Sequence, residues 1–153
     1  MRLLIQADAR RIPLPDRSVH CVVTSPPYWG LRDYRVDGQI GLEASPDAYV
    51  ATMVGVFREV ARVLRDDGTV WLNLGDCYAT GAGSARNPGG SAFGKPNAVV
   101  ETGSFPSSQP NRMKIRGLKS KDLIGIPWRV AFAIQVDGWY LRSEIVWQKR
   151  SPM

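Results

Sequence analysis

Cysteine and histidine are scarce in this chain, and long apolar runs are missing. The two cysteines, Cys21 and Cys77, both fall in predicted strands. They read as buried thiols in a reducing cytoplasm, not as a disulfide or a metal pair. The single histidine, His20, is expected to be structural, neither ligand nor base. No apolar run approaches the ~20 residues of a membrane span, and the N-terminus lacks the pattern of a signal peptide. Phosphate cradles are absent too. Gly89 to Lys95 matches Gly-x-x-x-x-Gly-Lys, but Pro96 stands where a magnesium-binding Ser or Thr belongs. Gly81-x-Gly83 lacks the third glycine of a dinucleotide loop, because Arg86 occupies that place. Acidic charge is the minority: 14 Asp and Glu against 20 Lys and Arg give a net charge of +6. That balance fits a polyanionic partner without identifying one.

What is present reads as one α/β domain. The length of 153 residues allows a real core. Leu3-Leu4-Ile5 is a short apolar strand ending at Asp8, and His20-Cys21-Val22-Val23 has the length and β-branched content of a second. Ser45-Pro46-Asp47 starts a helix: N-cap, proline at the first helical position, acid in the first turn. Val50, Met53, Val54, Phe57, Ala61 and Leu64 form its expected apolar stripe, with Arg58, Glu59, Arg62 and Arg65 on the other face. Gly68 is expected to end it. Residues 69–74 form the next strand, so a helix joins two parallel strands as a βαβ unit. Asp76 follows, either lining a site or capping a turn, the turn being preferred. Residues 79–120 are rich in Gly, Ser, Asn and Pro, and their charges are nearly all basic: Arg86, Lys95, Arg112, Lys114, Arg116 and Lys119 against Glu101. This long insertion is either a DNA-contacting loop that orders on binding or a plain surface loop. A helix is predicted from Pro127, closed by Asp137-Gly138, and Tyr140 to Trp147 alternates as a final strand.

One stretch organises the rest. Thr24-Ser25-Pro26-Pro27-Tyr28-Trp29-Gly30 turns an apolar strand into a rigid aromatic corner. Two prolines fix φ and supply no N–H, and the residue before them is held extended. A hydroxyl, a free carbonyl and an aromatic face then share one turn, which suits gripping a flat ring that bears an amine. The plain alternative is a Pro-rich loop that caps a strand.

Ser25-Pro26-Pro27-Tyr28 after a strand resembles the catalytic motif of amino-group DNA methyltransferases, which methylate the N4 amine of cytosine or the N6 amine of adenine. The motif there is Ser, Asp or Asn, then Pro-Pro and an aromatic; the Ser form is usual for N4-cytosine. Further blocks resemble the family in the same order: Gln6-Ala7-Asp8-Ala9, Arg62-Val63-Leu64 with Asp67-Gly68-Thr69, and Leu72-Asn73-Leu74-Gly75-Asp76. Ile126-Pro127-Trp128-Arg129, and Gly138-Trp139-Tyr140-Leu141-Arg142 leading to Ile145-Val146-Trp147-Gln148-Lys149, complete them.

The resemblance implies a partial Rossmann-like parallel sheet with flanking helices and a long basic loop. It implies S-adenosylmethionine as cofactor, double-stranded DNA with a flipped target base as substrate, and no metal. Residues 1–153 then form a single partial catalytic domain of a restriction-modification methyltransferase, with 79–120 as its insertion. Ser25, Pro26, Pro27 and Tyr28 are the implied catalytic residues, with Trp29 adding to the wall. Asp8, Ala9 and Thr24 are the implied cofactor contacts; Asp8 sits where α/β sheets bind ligands and is equally a helix N-cap for Ala9 onward. C5-cytosine chemistry needs a nucleophilic cysteine, typically in a Pro-Cys pair, and neither cysteine has that context. The family's Phe-x-Gly-x-Gly cofactor loop has no match here. The Ser-Pro-Met end looks like the middle of a block that continues in relatives, so a C-terminally truncated catalytic half is expected.

Overall fold

The computed structural model describes residues 4–79 and 115–148. Its elements run β1 (Val19–Thr24), α1 (Pro46–Val63), β2 (Leu64–Leu72) and α2 (Ile126–Val136). β1 and β2 pair in parallel, with Val22 opposite Val70 and Thr24 opposite Leu72. A helix between parallel neighbours is the expected βαβ unit. The ladder is interrupted early: Val19 faces Leu64, but Cys21 already faces Thr69.

The start of α1 follows its sequence signals. Ser45 is extended and its hydroxyl accepts from the Ala48 N–H at 3.1 Å, while Pro46 needs no partner for its missing N–H. The end does not. α1 stops at Val63, because Leu64 turns extended and joins the ladder; Gly68 lies inside β2, not at the helix end. The buried stripe is rotated from the expected one. Tyr49, Met53, Val56, Phe57, Val60 and Val63 are buried, whereas Val50 and Val54 are half-buried and Ala61 is exposed. The rotation arises because Glu59 and Arg62 do not face solvent alone. Glu59 accepts from the Ile12 N–H at 2.8 Å, and Arg62 donates to the Ile12 and Leu14 carbonyls at 2.8 and 3.0 Å. They strap the segment before β1 onto the helix.

α2 packs across α1. Phe57 and Trp139 meet edge to face at 6.3 Å. Arg58 pairs with Asp137, and Arg129 with Asp47 at 3.3 Å. The core between them holds Trp29, Tyr49, Met53, Phe57, Ile124, Ile126 and Val130. Each such side chain contributes roughly 1.5–3 kcal/mol by leaving water.

Two predicted strands do not form. Leu4 and Ile5 join no ladder, and neither do residues 140–147. Among the described residues the sheet has two strands. One of its faces, Val22, Val70 and Leu72, packs on the core. The other carries Val23, 79 % exposed, directly opposite Trp71, 54 % exposed. Cys21 is on that open face and is exposed, contrary to expectation; Cys77 is half-buried. His20 is exposed. Of the basic insertion, residues 80–114 lie outside the described residues, as do both rejected phosphate motifs, Leu3 and the Ser-Pro-Met end. No helix among the described residues is long and apolar enough to cross a membrane.

Candidate functional site

β1 delivers the chain to the corner. Thr24 is its last residue, and its carbonyl accepts from the Asn73 N–H at 2.9 Å. The ladder then stops, because Pro26 and Pro27 have no N–H to give. Ser25 is left exposed, with Pro26, Pro27 and Tyr28 half-buried.

Contacts from elsewhere in the chain set the corner's shape. The Tyr49 hydroxyl donates to the Pro27 carbonyl at 2.8 Å. Gly41 has φ of +105°, and a Cβ there would lie 3.1 Å from the Tyr28 carbonyl oxygen, so the close approach requires glycine. Gly75 does the same for the ring: a Cβ on it would sit 2.6 Å from Tyr28 Cε2. Trp29 is not a wall of the site. It is 1 % exposed, and its indole N–H donates to the Glu43 carbonyl at 2.9 Å. Its size and apolar surface make it an anchor beneath the corner, not a face of it.

Within the corner, the Ser25 and Tyr28 hydroxyls lie 3.3 Å apart. Each can donate or accept, and Ser25 Oγ keeps a lone pair for a further donor. Among the described residues, no hydrogen bond reaches the Pro26 carbonyl. The corner therefore holds two acceptors with capacity to spare.

A cleft of about 400 Å³ opens beside them. Its rim is Ala7, Asp8, Ala9, Thr24, Ser25, Pro26 and Pro27; its floor includes Ile40, Met53, Val56 and Phe57. The implied cofactor contacts and most of the implied catalytic residues thus share one cavity, at the small end of ligand-site volumes. Tyr28 stands just outside its lining. An apolar floor with an acid at the rim suits a flat heterocycle that carries an amine. Asp8 is ionised: the Arg10 side chain holds its carboxyl down at about 2. The same carboxylate accepts from the Arg10 backbone N–H at 2.9 Å, so it caps a turn, and no helix begins at Ala9. Among the described residues no group of three His, Cys, Asp or Glu could hold a metal ion.

Asp76 resolves as a cap for a distant element. Segments 77–79 and 121–124 run alongside each other, with Tyr78 bridged to Leu123. This brings Gly125 to Asp76, whose carboxylate accepts from the Gly125 and Ile126 N–H groups at 3.0 and 3.1 Å. Gly125 itself offers no side chain to α2, and the acid also complements the helix dipole. Cys77 beside it has its thiol pushed up to about 11, by burial first and by the Asp76 charge second. It is a protonated, inert thiol. Sequence reasoning missed Tyr49, Gly41 and Gly75. Gly75 stood inside the Leu72 to Asp76 block without a role, and Tyr49 left a signal in lying four residues before Met53, on the same helix face.

A family model described as DNA methylase matches residues 19–153. The type II methyltransferase M.Cfr9I of Citrobacter freundii is 51% identical over 98% of this chain and 47% of its own length. M.XycI of Xanthomonas campestris pv. cyanopsidis is 48% identical, over 98% of this chain and 47% of the relative. M.SmaI of Serratia marcescens is 47% identical, over 95% and 47%. The chain spans about half the length of these curated relatives. No solved structure matches. With a match over all but the first residues and the motif in place at the end of β1, the chain belongs to the DNA methylase family.

Proposed function

We propose that this polypeptide carries the base-gripping part of a site-specific DNA methyltransferase that methylates the exocyclic N4 amine of cytosine with S-adenosylmethionine. The observation that carries it is that Ser25 and Pro26 both line the cleft, with Ser25 Oγ 3.3 Å from the Tyr28 hydroxyl and the Pro26 carbonyl without a hydrogen bond among the described residues. An exocyclic amine is a poor nucleophile, because its lone pair is delocalised into the ring. Acceptors on its hydrogens favour the pyramidal nitrogen that attack requires, which places stabilisation where charge develops. The base must first leave the duplex, at a few kcal/mol. Stacking on Tyr28 returns roughly 1–3 kcal/mol of that. Asp8, Ala9 and Thr24 on the cleft rim would hold the cofactor, which supplies a methyl group on a sulfonium when bound. Serine at the head of the motif favours cytosine; adenine N6 would be held by the same acceptors.

The direct test is transfer of labelled methyl from S-adenosylmethionine to unmethylated bacterial DNA, followed by base analysis. N4-methylcytosine is expected, and N6-methyladenine would move the assignment to adenine. Ser25→Ala and Tyr28→Ala are each expected to lower transfer by about a hundredfold or more while leaving the circular dichroism spectrum unchanged. Full activity in both would remove the site. A second reading is favoured by the net charge of +6: a polypeptide that binds DNA through its basic residues without catalysis. Calorimetry with S-adenosylmethionine separates the two, since a polypeptide that only binds DNA shows no heat of binding.

A further inference from the structure

We propose that Tyr49 is a positioning residue: by taking the Pro27 carbonyl, it fixes the corner so that Ser25 and the Pro26 carbonyl are the acceptors left for the target amine. This rests on the methyltransferase reading of the corner. Two adjacent prolines present two carbonyls and no N–H, so neither has a ladder bond to orient it. Only the Pro27 carbonyl has a partner among the described residues, and that partner comes from α1. Tyr49 is fully buried, packed in the core with Trp29 and Phe57. Its backbone N–H donates to the Ser45 carbonyl at 3.1 Å, in the capped first turn. The phenol is thus a fixed post. Burial, and then the Glu43 charge, push its acidity well below that of an ordinary tyrosine, so it remains a donor at any working pH. Without that donor, the carbonyl is free to rotate about the bond that also carries Tyr28. The ring would then leave its seat on Gly75, and its hydroxyl would leave Ser25 Oγ.

Tyr49→Phe tests this, since it removes one oxygen and keeps the buried ring. Carbon-13 and proton spectra of the Pro27 carbonyl and the Tyr28 ring are recorded alongside methyl transfer to unmethylated bacterial DNA. Shifted Tyr28 resonances are expected, with kcat lower by about tenfold to a hundredfold at an unchanged KM for S-adenosylmethionine. 4-Aminophenylalanine at position 49 restores a donor and is expected to restore both. Tyr28 resonances at their original positions overturn the inference, as does unchanged kcat in a variant of an active parent. If the parent transfers no methyl, the methyltransferase reading fails, and the spectra alone decide the positioning role. If Tyr49→Phe does not fold, 4-fluorophenylalanine at position 49 fills the place of the hydroxyl without donating a hydrogen bond. Tyr28 resonances that then stay still also overturn the inference.

Discussion

A hydroxyl has one proton, and where that proton points decides what else the oxygen can do. The Ser25 and Tyr28 hydroxyls lie 3.3 Å apart, so the proposed function gives Tyr28 two features to test, a ring that stacks and a hydroxyl that pairs with Ser25. These roles separate experimentally. Tyr28→Phe keeps the face and loses the hydroxyl, so transfer is expected to fall by about tenfold, far less than in Tyr28→Ala; an unchanged rate in Tyr28→Phe would deny the hydroxyl a role, and equal rates for the two variants would deny the stacking role. Asp76 is a second residue with a role out of proportion to its size. It accepts from three backbone N–H groups, those of Cys77, Gly125 and Ile126. Asp76→Ala is expected to cost about 1–2 kcal/mol in urea unfolding, through loss of the α2 cap.

At the scale of elements, α1 holds the molecule together. Its inner face supplies Tyr49, Met53, Phe57 and Val60 to the core, and Met53 and Phe57 also floor the cleft. Phe57→Ala is expected to destabilise by about 3–5 kcal/mol and to loosen the cleft together with the core, seen as lower thermal stability. The two helices and the parallel pairing were legible in the sequence, because Ser45-Pro46 and Asp137-Gly138 are local signals and the chain obeys them. The end of α1 was not, because pairing of Leu64 with Val19 outweighs any local stop at Gly68. Nor were the missing strands. Alternation such as Tyr140 to Trp147 specifies a strand only where a neighbour offers an edge, and none is described there. Ser25 to Tyr28 could be read directly, but Gly75 and Gly41 could not. Their requirement is space for a residue far away in sequence.

Over the whole molecule, charge sets the response to solvent. Asp8, Glu59 and Asp137 each have a carboxyl held below its ordinary value by hydrogen bonds from Arg10, Arg62 and Arg58 respectively. Depressed values mean that the folded state binds fewer protons than the unfolded chain at low pH. This stabilisation is present above the ordinary carboxylate range and is lost as pH falls through it, down to about 2 for Asp8. Tyr49 works in the opposite sense. Its raised value keeps it protonated in the fold, so stability is expected to fall as pH rises past the ordinary tyrosine value of 10.0. A thermal scan across pH checks both edges. The net charge of +6 gives a further expectation: DNA affinity should fall steeply between 50 and 200 mM salt, as counterion release requires.

The open flank of the sheet has its own consequence. Val23 and Trp71 stand in water side by side, on the face of the ladder that turns away from the core. Solvent can therefore reach the amides of β1 and β2 without any global opening. Deuterium should replace their hydrogens sooner than it does along the inner turns of α1.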